Sequence, residues 1–598
     1  MAPAACSRGM ALPRSGPECG LTPGSRTPKL DAMSIDYPDI GAFGSLLEIL
    51  ENAARRRPGE VAMALAADDG LVDAWSAAEV LRRSRLAAWR LFALGLRPGD
   101  RLLTWCPSGP ELAALTFATA RMGVAIVPLD LRMAPEVIQR IAARAETTWL
   151  AVGTGRDAPD VHDVELPEMV VRTVHALVAE PGTDGEPAFP DDWEGQLEAV
   201  PRPTRDSLFE IVFTSGTTGS PKGAMLSHGN ILATLEAADQ VVPRREHRLV
   251  SLLPLSHLFG QLELGYALIA GAPILYIRSR NPRVIFEAIR EHRVTTMVVV
   301  PQVLDLFWSS IEREVAKQGR KAVFARLRSI ARRLPYGLRR RLFSSLHARL
   351  GGRLVLFICS AAFLPPALQE GWEDVGVVVL QGFGATECGF ATANRIDDHP
   401  LGVVGRPVPH VEVRLDAESG EVQVRGANVF VGYWRDAEAT AATLDSEGWY
   451  HTGDTGRWNA RGELVLSGRI KNMIVLPNGL NVFPEDIENV LREAGLRDTV
   501  VLETAPGRIE AVVLPPDEPL MPRGGAAPEP RHRTPEEAAA LRASIDAAVK
   551  AANGRLGISQ RVEGWRLWPE PDFPRTHTLK IQRRLVSAWV ESDARSTT

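Results

Sequence analysis

The sequence predicts an α/β protein with a large N-terminal region of parallel sheets and a small C-terminal α+β domain. Short apolar runs alternate with amphipathic helical patterns through most of the 598 residues, which favours parallel βαβ units. The chain is longer than one hydrophobic core usually organises. The alternation ends at about residue 468, where a charged turn begins a region of different character.

The first elements follow from apolar spacing and turn residues. Helical spacing predicts helices over 44–57 and 78–96. The segment 97–109 is typical of a turn, a buried strand and a second turn. A helix over 110–122 and an apolar strand within 123–130 follow. Further buried strands are predicted within 248–255, 273–278, 296–301, 353–359 and 376–381.

The C-terminal region has the pattern of a small α+β domain. A strand, a loop and a helix are predicted within 475–495, and the Pro-, Gly- and charge-rich residues 514–536 predict a surface loop. A helix over 537–553 and a last strand near 564–568 complete the pattern.

Residues 1–33 differ in composition from all that follows. They are rich in Pro, Gly, Ser and Ala and have no sustained apolar stretch of the signal-peptide type. We interpret them as a disordered tail, or as extra residues before a start at Met33. The predicted division is therefore a tail over 1–33, a large domain over 34–469 and a C-terminal domain over 470–598.

Composition and charge argue against several classes of function. Acidic residues outnumber basic ones 73 to 68, for a net charge of -5, so the chain has no overall electrostatic footprint for nucleic acid. The five cysteines form no CxxC pair, so neither a zinc site nor a disulfide framework is indicated, and a reducing cytoplasm is expected. No apolar run reaches the roughly 18 residues of a membrane-spanning helix.

Residues 311–350 form a strongly basic stretch, with twelve Lys or Arg residues and two Glu. We favour a solvated helical hairpin that is broken at Pro335. The alternative is a basic amphipathic element that touches an anionic lipid surface. A nucleic-acid-binding role is a weaker alternative, because the chain as a whole is not basic.

The strongest local signal lies at residues 211–225, where an apolar strand runs into a loop rich in Gly, Ser and Thr. Glycines let the backbone approach an anion, and successive N–H groups and hydroxyls can surround phosphate oxygens. Lys222 adds positive charge. The Walker A pattern does not fit this segment, so a P-loop nucleotidase is disfavoured. The loop residues are Thr214, Ser215, Gly216, Thr217, Thr218 and Gly219.

Five segments resemble, in the same order, the signatures of the adenylate-forming superfamily of acyl-CoA synthetases, firefly luciferases and peptide-synthetase adenylation domains. They are TSGTTGSPKG at 214–223, GFGATE at 382–387, TGD at 452–454, GRIK at 468–471 and PRTHTLK at 574–580. Each alone is a weak signal. Together they identify the chain, over roughly residues 40–590, as a member of this superfamily.

The resemblance implies that ATP activates a carboxylic acid to an acyl-adenylate, which then reacts with coenzyme A. Both partners of the first step are anionic, so charge neutralisation and alignment dominate catalysis. Magnesium is implied as the metal, with Glu387 and Thr217 as its ligands. Family members rotate the small domain between the two half-reactions, so the C-terminal domain is expected to be mobile.

The resemblance also assigns nucleotide contacts. Thr386 is expected to donate to a phosphate oxygen, Asp454 to accept from both ribose hydroxyls, and Arg469 to be a second ribose or phosphate contact. The superfamily usually has Tyr where this chain has Phe383, which keeps stacking and loses a hydroxyl. The implied walls beside adenine and the acyl pocket are Gly382, Phe383 and Gly384, and Ser360, Ala361 and Ala362.

Other roles concern the acyl group and the second half-reaction. Lys580 resembles the lysine that bridges the carboxylate and the α-phosphate, although Leu579 stands where the family often has Gly. Gly479 is implied to lie along the pantetheine arm, with Lys471 at the pivot. His257 matches a segment that lines and gates the acyl pocket, with a structural histidine as the alternative. Further wall candidates are Gly265, Val300 and Gln302.

The resemblance is strongest to long-chain fatty acid–CoA ligases. Residues 477–488 and 574–584 are similar to segments of the bacterial enzymes, and so is the basic insertion at 311–350. A medium- or long-chain fatty acid is therefore the expected substrate. The alternatives are a fatty acyl-AMP ligase that loads a carrier protein, a ligase for an aromatic acid, and a silent homologue that only binds. No nucleic-acid partner is expected, and the cytoplasm is the expected location. A homodimer and peripheral contact with the inner face of the membrane are left open.

Overall fold

The computed structural model describes the chain from Tyr37 to Ser596 with gaps. The described residues are 37–67, 70–155, 158–159, 169–182, 188–214, 221–279, 281–477, 480–515, 533–575 and 581–596. The predicted tail over 1–33 and most of the predicted loop over 514–536 lie outside these residues.

The described residues form helices and strands in the alternating order that the sequence predicts. The helices are α1 Leu46–Arg56, α2 Ala77–Ala93, α3 Pro110–Met122, α4 Pro135–Ala145, α5 Val174–Val178, α6 Trp193–Glu198, α7 His228–Val241, α8 Leu258–Ala270, α9 Pro282–Glu291, α10 Pro301–Lys317, α11 Lys321–Ala331, α12 Tyr336–Leu342, α13 Ser344–Arg349, α14 Pro366–Asp374, α15 Ala437–Ala441, α16 Pro484–Glu493, α17 Pro535–Asn553 and α18 Arg583–Ser596. The strands are β1 Val61–Ala67, β2 Gly70–Ser76, β3 Arg101–Trp105, β4 Ala125–Pro128, β5 Trp149–Val152, β6 Val170–Thr173, β7 Leu208–Thr214, β8 Lys222–Ser227, β9 Leu249–Ser251, β10 Ile274–Ile277, β11 Thr296–Val299, β12 Leu356–Cys359, β13 Val378–Ala385, β14 Gly389–Ala393, β15 Arg406–Pro407, β16 Val411–Leu415, β17 Glu421–Gly426, β18 Gly432–Tyr433, β19 Tyr450–Trp458, β20 Leu464–Arg469, β21 Ile474–Val475, β22 Asn481–Val482, β23 Thr499–Ala505, β24 Arg508–Val513 and β25 Gly564–Leu567.

Two large sheets dominate the N-terminal region. One has the order β18-β8-β7-β4-β3-β5-β6 and the other β15-β14-β13-β12-β11-β9-β10-β1-β2. Their central strands pair in parallel, whereas β8 and β14 turn back as antiparallel neighbours of β7 and β13. A smaller antiparallel sheet, β16-β17-β19-β20, follows. The predicted α/β class with parallel sheets is confirmed.

Helices cover both faces of each large sheet, which explains why the central strands are apolar along their whole length. One apolar cluster joins the inner faces of the two sheets to α1, α2, α3, α7 and α8. A second packs α9, α10 and α14 on the outer face of the nine-stranded sheet. A third packs α4 on the outer face of the seven-stranded sheet. The order of layers is therefore helix, sheet, helix, sheet, helix.

The basic stretch folds as α11, α12 and α13 after the end of α10, with the predicted break at Pro335. A further break follows α10 at Gly319, where φ is +67°, so the stretch has more turns than a simple hairpin. Arg328 Nε and Arg332 Nε each lie 3.0 Å from a carboxylate oxygen of Asp374, which is buried. Part of the positive charge is therefore used inside the fold.

The C-terminal residues form the expected small α+β unit. The sheet β23-β24-β25 and the pair β21-β22 pack with α16 and α17 around apolar clusters of their own. The helix predicted over 537–553 is α17, and the strand predicted near 564–568 is β25. No helix in the described part of the chain is long and apolar enough to cross a membrane.

A buried carboxyl group lies where the seven-stranded sheet meets α8. Glu210 on β7 is fully buried, and Gln261 Nε2 on α8 donates to its Oε2 at 2.7 Å. Burial raises the pKa of Glu210 to about 8, against the opposing effect of that hydrogen bond. The folded protein therefore holds this carboxyl neutral at pH 7.

Compared with the wild type, the variant Glu210→Gln should gain in free energy of unfolding as pH rises. The unfolded carboxyl loses its proton above about pH 4.5, whereas the folded one keeps it up to about pH 8. Folding of the wild type therefore weakens with pH, by about 1.4 kcal/mol per pH unit between pH 5 and 8, and the amide has no such cost. Urea denaturation of both proteins across this range measures the difference, and a constant difference would contradict a neutral Glu210.

Candidate active site

A cavity of about 2480 Å³ opens at the carboxyl ends of the parallel strands of both large sheets. Its wall includes Thr214 and Lys222 from the first sheet and Ser360 and Gly382 from the second. Asp454 of the small sheet and residues of the C-terminal unit complete it. Ligands of open α/β sheets bind at this edge, so the topology alone makes it the candidate site.

The predicted phosphate loop joins β7 to β8 at the cavity wall. Thr214 and Lys222 are partners in the antiparallel ladder, and the Thr214 hydroxyl lies 3.5 Å from the Lys222 carbonyl oxygen. Thr214, the first residue of the loop, and Pro221, which follows the loop, both line the cavity. The loop residues Ser215, Gly216, Thr217, Thr218 and Gly219 themselves lie outside the described residues.

Glu387 is held in the wall by a tyrosine that sequence analysis missed. The Tyr433 hydroxyl donates to Glu387 Oε1 at 3.0 Å, and Lys222 Nζ lies 5.2 Å from the centre of the Tyr433 ring. Burial, together with the charge of Glu387, raises the pKa of Tyr433, so the phenol stays a donor. Thr386 also lines the cavity. Tyr433 reaches this place because β18 pairs with β8, which no local motif indicates.

The glycines of GFGATE are required by strand packing. A Cβ atom on Gly384 would lie 1.9 Å from the Gly389 carbonyl oxygen, and one on Gly382 would lie 2.3 Å from the Phe390 ring. Between them, Phe383 is buried and lines the cavity. The close approach of β13 and β14 therefore holds this wall in place.

The loop after β12 forms an adjacent part of the wall. Ser360 Oγ donates to the Gly382 carbonyl oxygen at 2.8 Å, which ties the loop to β13. Ala361 has φ of +73°, in the left-handed region, and is exposed together with Ala362. All three residues line the cavity.

Asp454 and Arg469 form an ion pair on the wall of the cavity. They are register partners on β19 and β20, and Arg469 Nε lies 2.6 Å from Asp454 Oδ1. Gly453, with φ of +69°, turns the chain just before Asp454. The short 3-10 turn Ile470–Asn472 follows Arg469 directly and includes Lys471, which lines the cavity. The candidate ribose contact is thus adjacent to the link between the two regions.

His257 is positioned by a buried carboxylate. Its Nε2 lies 2.8 Å from Asp130 Oδ2, and Arg132 binds the same carboxylate through both of its oxygens. Burial alone would raise the pKa of Asp130, but hydrogen bonds from Arg132 and His257 hold it well below its usual range. Sequence analysis missed Asp130, although an aspartate at the end of the apolar run 123–130 was an available signal.

Of the three remaining wall candidates, two line the cavity and one does not. Val300 and Gln302 line the cavity beside α10. Gly265 is not among its described lining residues. A Cβ atom there would lie 2.9 Å from Leu235 Cδ1, so this glycine lets α8 approach α7. The expectation that it forms part of the acyl pocket wall is corrected accordingly.

The C-terminal unit contributes the last part of the wall. Arg575 and Ile581 are joined by an antiparallel bridge and both line the cavity. Lys580, which comes between them in sequence, lies outside the described residues. Gly479, in the earlier C-terminal motif, also lies outside them. Pro477 and Leu480, which lie on either side of the Gly479 segment, are not among the described lining residues. The motif that contains Lys580 therefore has its flanking residues in the cavity wall, whereas the motif that contains Gly479 does not.

Comparison with protein families and with individual proteins agrees with this geometry. A family model described as AMP-binding enzyme matches residues 50–434. The long-chain-fatty-acid–CoA ligase FadD15 of Mycobacterium bovis is 28% identical over 567 residues, which cover 88% of this chain and 92% of that protein.

A second relative, from Mycobacterium tuberculosis, is 32% identical over 447 residues, covering 71% of this chain and 80% of that protein. Its name specifies a CoA ligase for a propanoyl group that bears a methyl-dioxo-octahydroindenyl ring system. Among solved structures, ATP-bound MatB from Rhodopseudomonas palustris matches with a TM-score of 0.69 and 23% identity, covering 91% of this chain and 98% of that one. This last likeness concerns the fold.

The substitution Asp130→Asn should destabilise the protein by about 3–5 kcal/mol at pH 7, because it leaves the His257–Arg132 pair without its buried carboxylate. The pKa of the folded carboxyl is lowered from its usual value near 4, so its stabilising effect is present above about pH 4 and shrinks only as pH falls below that value. Urea denaturation at several pH values from 3 to 8 measures the loss. A loss that has already disappeared at pH 5 would contradict an ionised Asp130.

Proposed function

Because the chain belongs to the AMP-binding enzyme family, we propose that it activates a medium- or long-chain fatty acid with ATP and transfers the acyl group to coenzyme A. ATP and coenzyme A are the substrates of the acyl-CoA ligases in this family. The proposal rests above all on one observation: a single cavity brings together four residues of separate motifs. They are Lys222, His257, Glu387 and Asp454.

The central chemical problem is the approach of two anions, a carboxylate and the triphosphate of ATP. Fixed positive charge and donors must offset their repulsion before the reaction begins. Lys222, at the exit of the phosphate loop, is proposed to neutralise phosphate charge, and Thr386 to donate to a phosphate oxygen. Because the β7-β8 ladder and the Tyr433 ring restrict Lys222, its charge needs little rearrangement.

Glu387 is the proposed magnesium ligand, with Thr217 as the second protein contact. Tyr433 binds one oxygen of Glu387, and the other has no protein donor among the described residues. The described residues contain no cluster of three or more side chains that could hold a metal ion by themselves. A single carboxylate suits magnesium, which keeps water and binds substrate phosphates. The bound ion would neutralise phosphate charge.

Asp454 is proposed to accept hydrogen bonds from the ribose hydroxyls. A carboxylate with two oxygens suits a cis-diol. Arg469 binds Asp454 at present and is about two-fifths exposed, so it can move aside or share the carboxylate with a nucleotide. Phe383, Gly382 and Gly384 are the proposed wall beside adenine.

The C-terminal domain is proposed to serve the two half-reactions in turn. The flanks of Lys580 line the cavity, and this supports a role for Lys580 in adenylation. Gly479 is proposed to enter only for thioester formation, after rotation about Lys471. The boundary between the domains, at residues 469 and 470, stays a prediction.

The two relatives have names that specify different kinds of acid. FadD15 supports a long-chain fatty acid, whereas the name of the second relative specifies a ring-bearing acid. The two alternatives predicted from the sequence, a fatty acyl-AMP ligase that loads a carrier protein and a ligase for an aromatic acid, are retained. The proposed location is the cytoplasm, which the free cysteines Cys106, Cys359 and Cys388 support, and a homodimer stays a prediction.

The basic stretch over 311–350 has features of both of its predicted roles. Arg328 and Arg332 bind buried Asp374, which supports a structural, solvated element. Exposed apolar side chains on the same helices support contact with an anionic membrane instead: Val323, Ile330, Leu338 and Leu342. We retain the solvated element as the proposal and membrane contact as the alternative.

The substitution Lys580→Ala should separate the half-reactions. With a fatty acid, ATP, magnesium and coenzyme A, the wild type should form acyl-CoA and AMP, measured by mass spectrometry. The variant should lose this overall reaction by about 100-fold or more, because a charge that aligns both anions is removed. It should still form acyl-CoA from supplied acyl-AMP.

Lys550→Ala is the matched control, because Lys550 is an exposed lysine on α17 of the same domain and does not line the cavity. It should leave both reactions unchanged. Equal loss of both reactions in Lys580→Ala would contradict the division of roles. Acyl-AMP formation by the wild type without acyl-CoA would favour the carrier-loading alternative.

A further inference from the structure

The cavity has a polar corner beyond His257 that no step of the adenylation chemistry uses. Three buried side chains form it: Glu263 on α8, Ser251 on β9 and Tyr276 on β10. Ser251 and Tyr276 are register partners on adjacent parallel strands, so both point to the same face of the sheet. Tyr276 belongs to the apolar cluster that includes residues of α8, whereas its neighbours Leu275 and Ile277 belong to the cluster on the outer face of the sheet. The face that carries Ser251 and Tyr276 is therefore turned toward α8.

The hydrogen-bonding groups of this corner are only partly used by the protein. Ser251 Oγ donates to Glu263 Oε2 at 2.5 Å. Glu263 Oε1 and the Tyr276 hydroxyl have no partner with full hydrogen-bond geometry among the described residues, although the Val298 backbone lies close enough to Glu263 to favour its charged form. Glu263 is 3% exposed and Tyr276 1%, so bulk water does not satisfy either group. Unpaired buried polar atoms are costly, and atoms that line a cavity can be paired by a ligand.

The carboxyl group of Glu263 is a donor as well as an acceptor at neutral pH. Burial raises its pKa to about 8, against the opposing effects of Ser251 and the Val298 backbone. Burial, with a smaller effect of Glu263, also raises the pKa of Tyr276. The corner therefore offers two O–H groups and no net charge, which fits an uncharged oxygen of a ligand.

The surroundings limit where such an oxygen would lie. His247 Nδ1 lies 2.9 Å from Thr296 Oγ1, and His247 Nε2 lies 3.0 Å from the Pro243 carbonyl oxygen. Both ring nitrogens of His247 therefore already have hydrogen-bond partners within the protein. Leu249 and Val298 add apolar wall. Glu263 comes six residues after His257, about 9 Å further along the helix axis. An oxygen that binds there therefore lies about 9 Å beyond His257, a distance that spans several carbon atoms of an acyl chain.

We propose that Glu263, Ser251 and Tyr276 form a specificity subsite for a hydroxyl or carbonyl oxygen on the acyl chain, so that the preferred acid is oxygenated several carbons from its carboxyl group. The inference rests on the proposed acid activation and adds the class of acid. An unsubstituted chain would leave the carboxyl and phenol groups unpaired, which is how a polar pocket rejects an apolar analogue. The three residues act on binding and take no part in the chemical step.

The test compares acids that differ only in one oxygen. A straight-chain saturated acid is assayed beside its hydroxy and oxo derivatives, with the oxygen moved one carbon at a time, and kcat/KM is measured from acyl-CoA formation. The wild type should prefer one position by about tenfold or more over the unsubstituted acid. Glu263→Met should abolish this preference, and Glu263→Gln should keep part of it. Tyr276→Phe, which removes one hydroxyl, should reduce it without a large change in shape.

Glu210→Met is the matched control, because Glu210 is equally buried on the other side of α8 and does not line the cavity. It should lower the stability of the protein but preserve the preference. Equal kcat/KM for all the acids, or the same loss in the Glu263 and Glu210 variants, would overturn the subsite and leave the proposed function standing.

A failure of the proposed function would look different. In that case no acid would be turned over, and calorimetric binding of the same acids to the wild type and to Glu263→Met would decide the subsite alone. Tighter binding of an oxygenated acid to the wild type, lost in the variant, would support it. Equal binding to both proteins would overturn it.

Discussion

The repulsion between two anions is the constraint on which the rest of this structure depends. A carboxylate and a triphosphate approach each other only where charge and donors are fixed in advance. The two large sheets supply such a place, because the carboxyl ends of their parallel strands face one cavity. Lys222, Tyr433 and Glu387 are linked across the wall by a cation–ring contact and a hydrogen bond, so the proposed phosphate-neutralising cation and the proposed metal ligand share one support.

The acids around the cavity are held in two opposite states by their surroundings. Asp130 is surrounded by Arg132 and His257 and is stabilised as an anion. Glu263 lies among apolar residues and a hydroxyl and is stabilised as a neutral acid. The same residue class thus fixes a histidine at one place and offers a proton for hydrogen bonding at another. This contrast separates the charged surroundings of His257 from the uncharged corner formed by Glu263, Ser251 and Tyr276.

Local features were predictable from the sequence. Pro110 and Gly123 delimit α3, whose bounds match the predicted helix over 110–122. The motif residues Ser360, Gly382, Glu387 and Asp454 all lie in the cavity wall. Ser360 and Glu387 come just after the ends of β12 and β13, whereas Gly382 and Asp454 lie within β13 and β19.

Residues that depend on strand order were not predictable in this way. Tyr433 reaches Glu387 only because β18 pairs with β8 across about 200 residues of chain. Glu263 and Tyr276 are brought near each other by Ser251, which binds Glu263 of α8 and is the register partner of Tyr276. Gly265 was assigned to the cavity wall wrongly, since a helix glycine gives no signal that distinguishes a pocket from a helix contact.

Acid-dependent exchange of labelled pyrophosphate into ATP tests the central claim most directly, because it reports adenylation without the second half-reaction. With purified protein and magnesium, exchange should occur only when a suitable acid is present, and acids from acetate to oleate and their oxygenated derivatives should differ in rate. The account predicts exchange with medium- or long-chain acids and none without acid. The absence of exchange with every acid, from a protein that binds ATP by calorimetry, would contradict it.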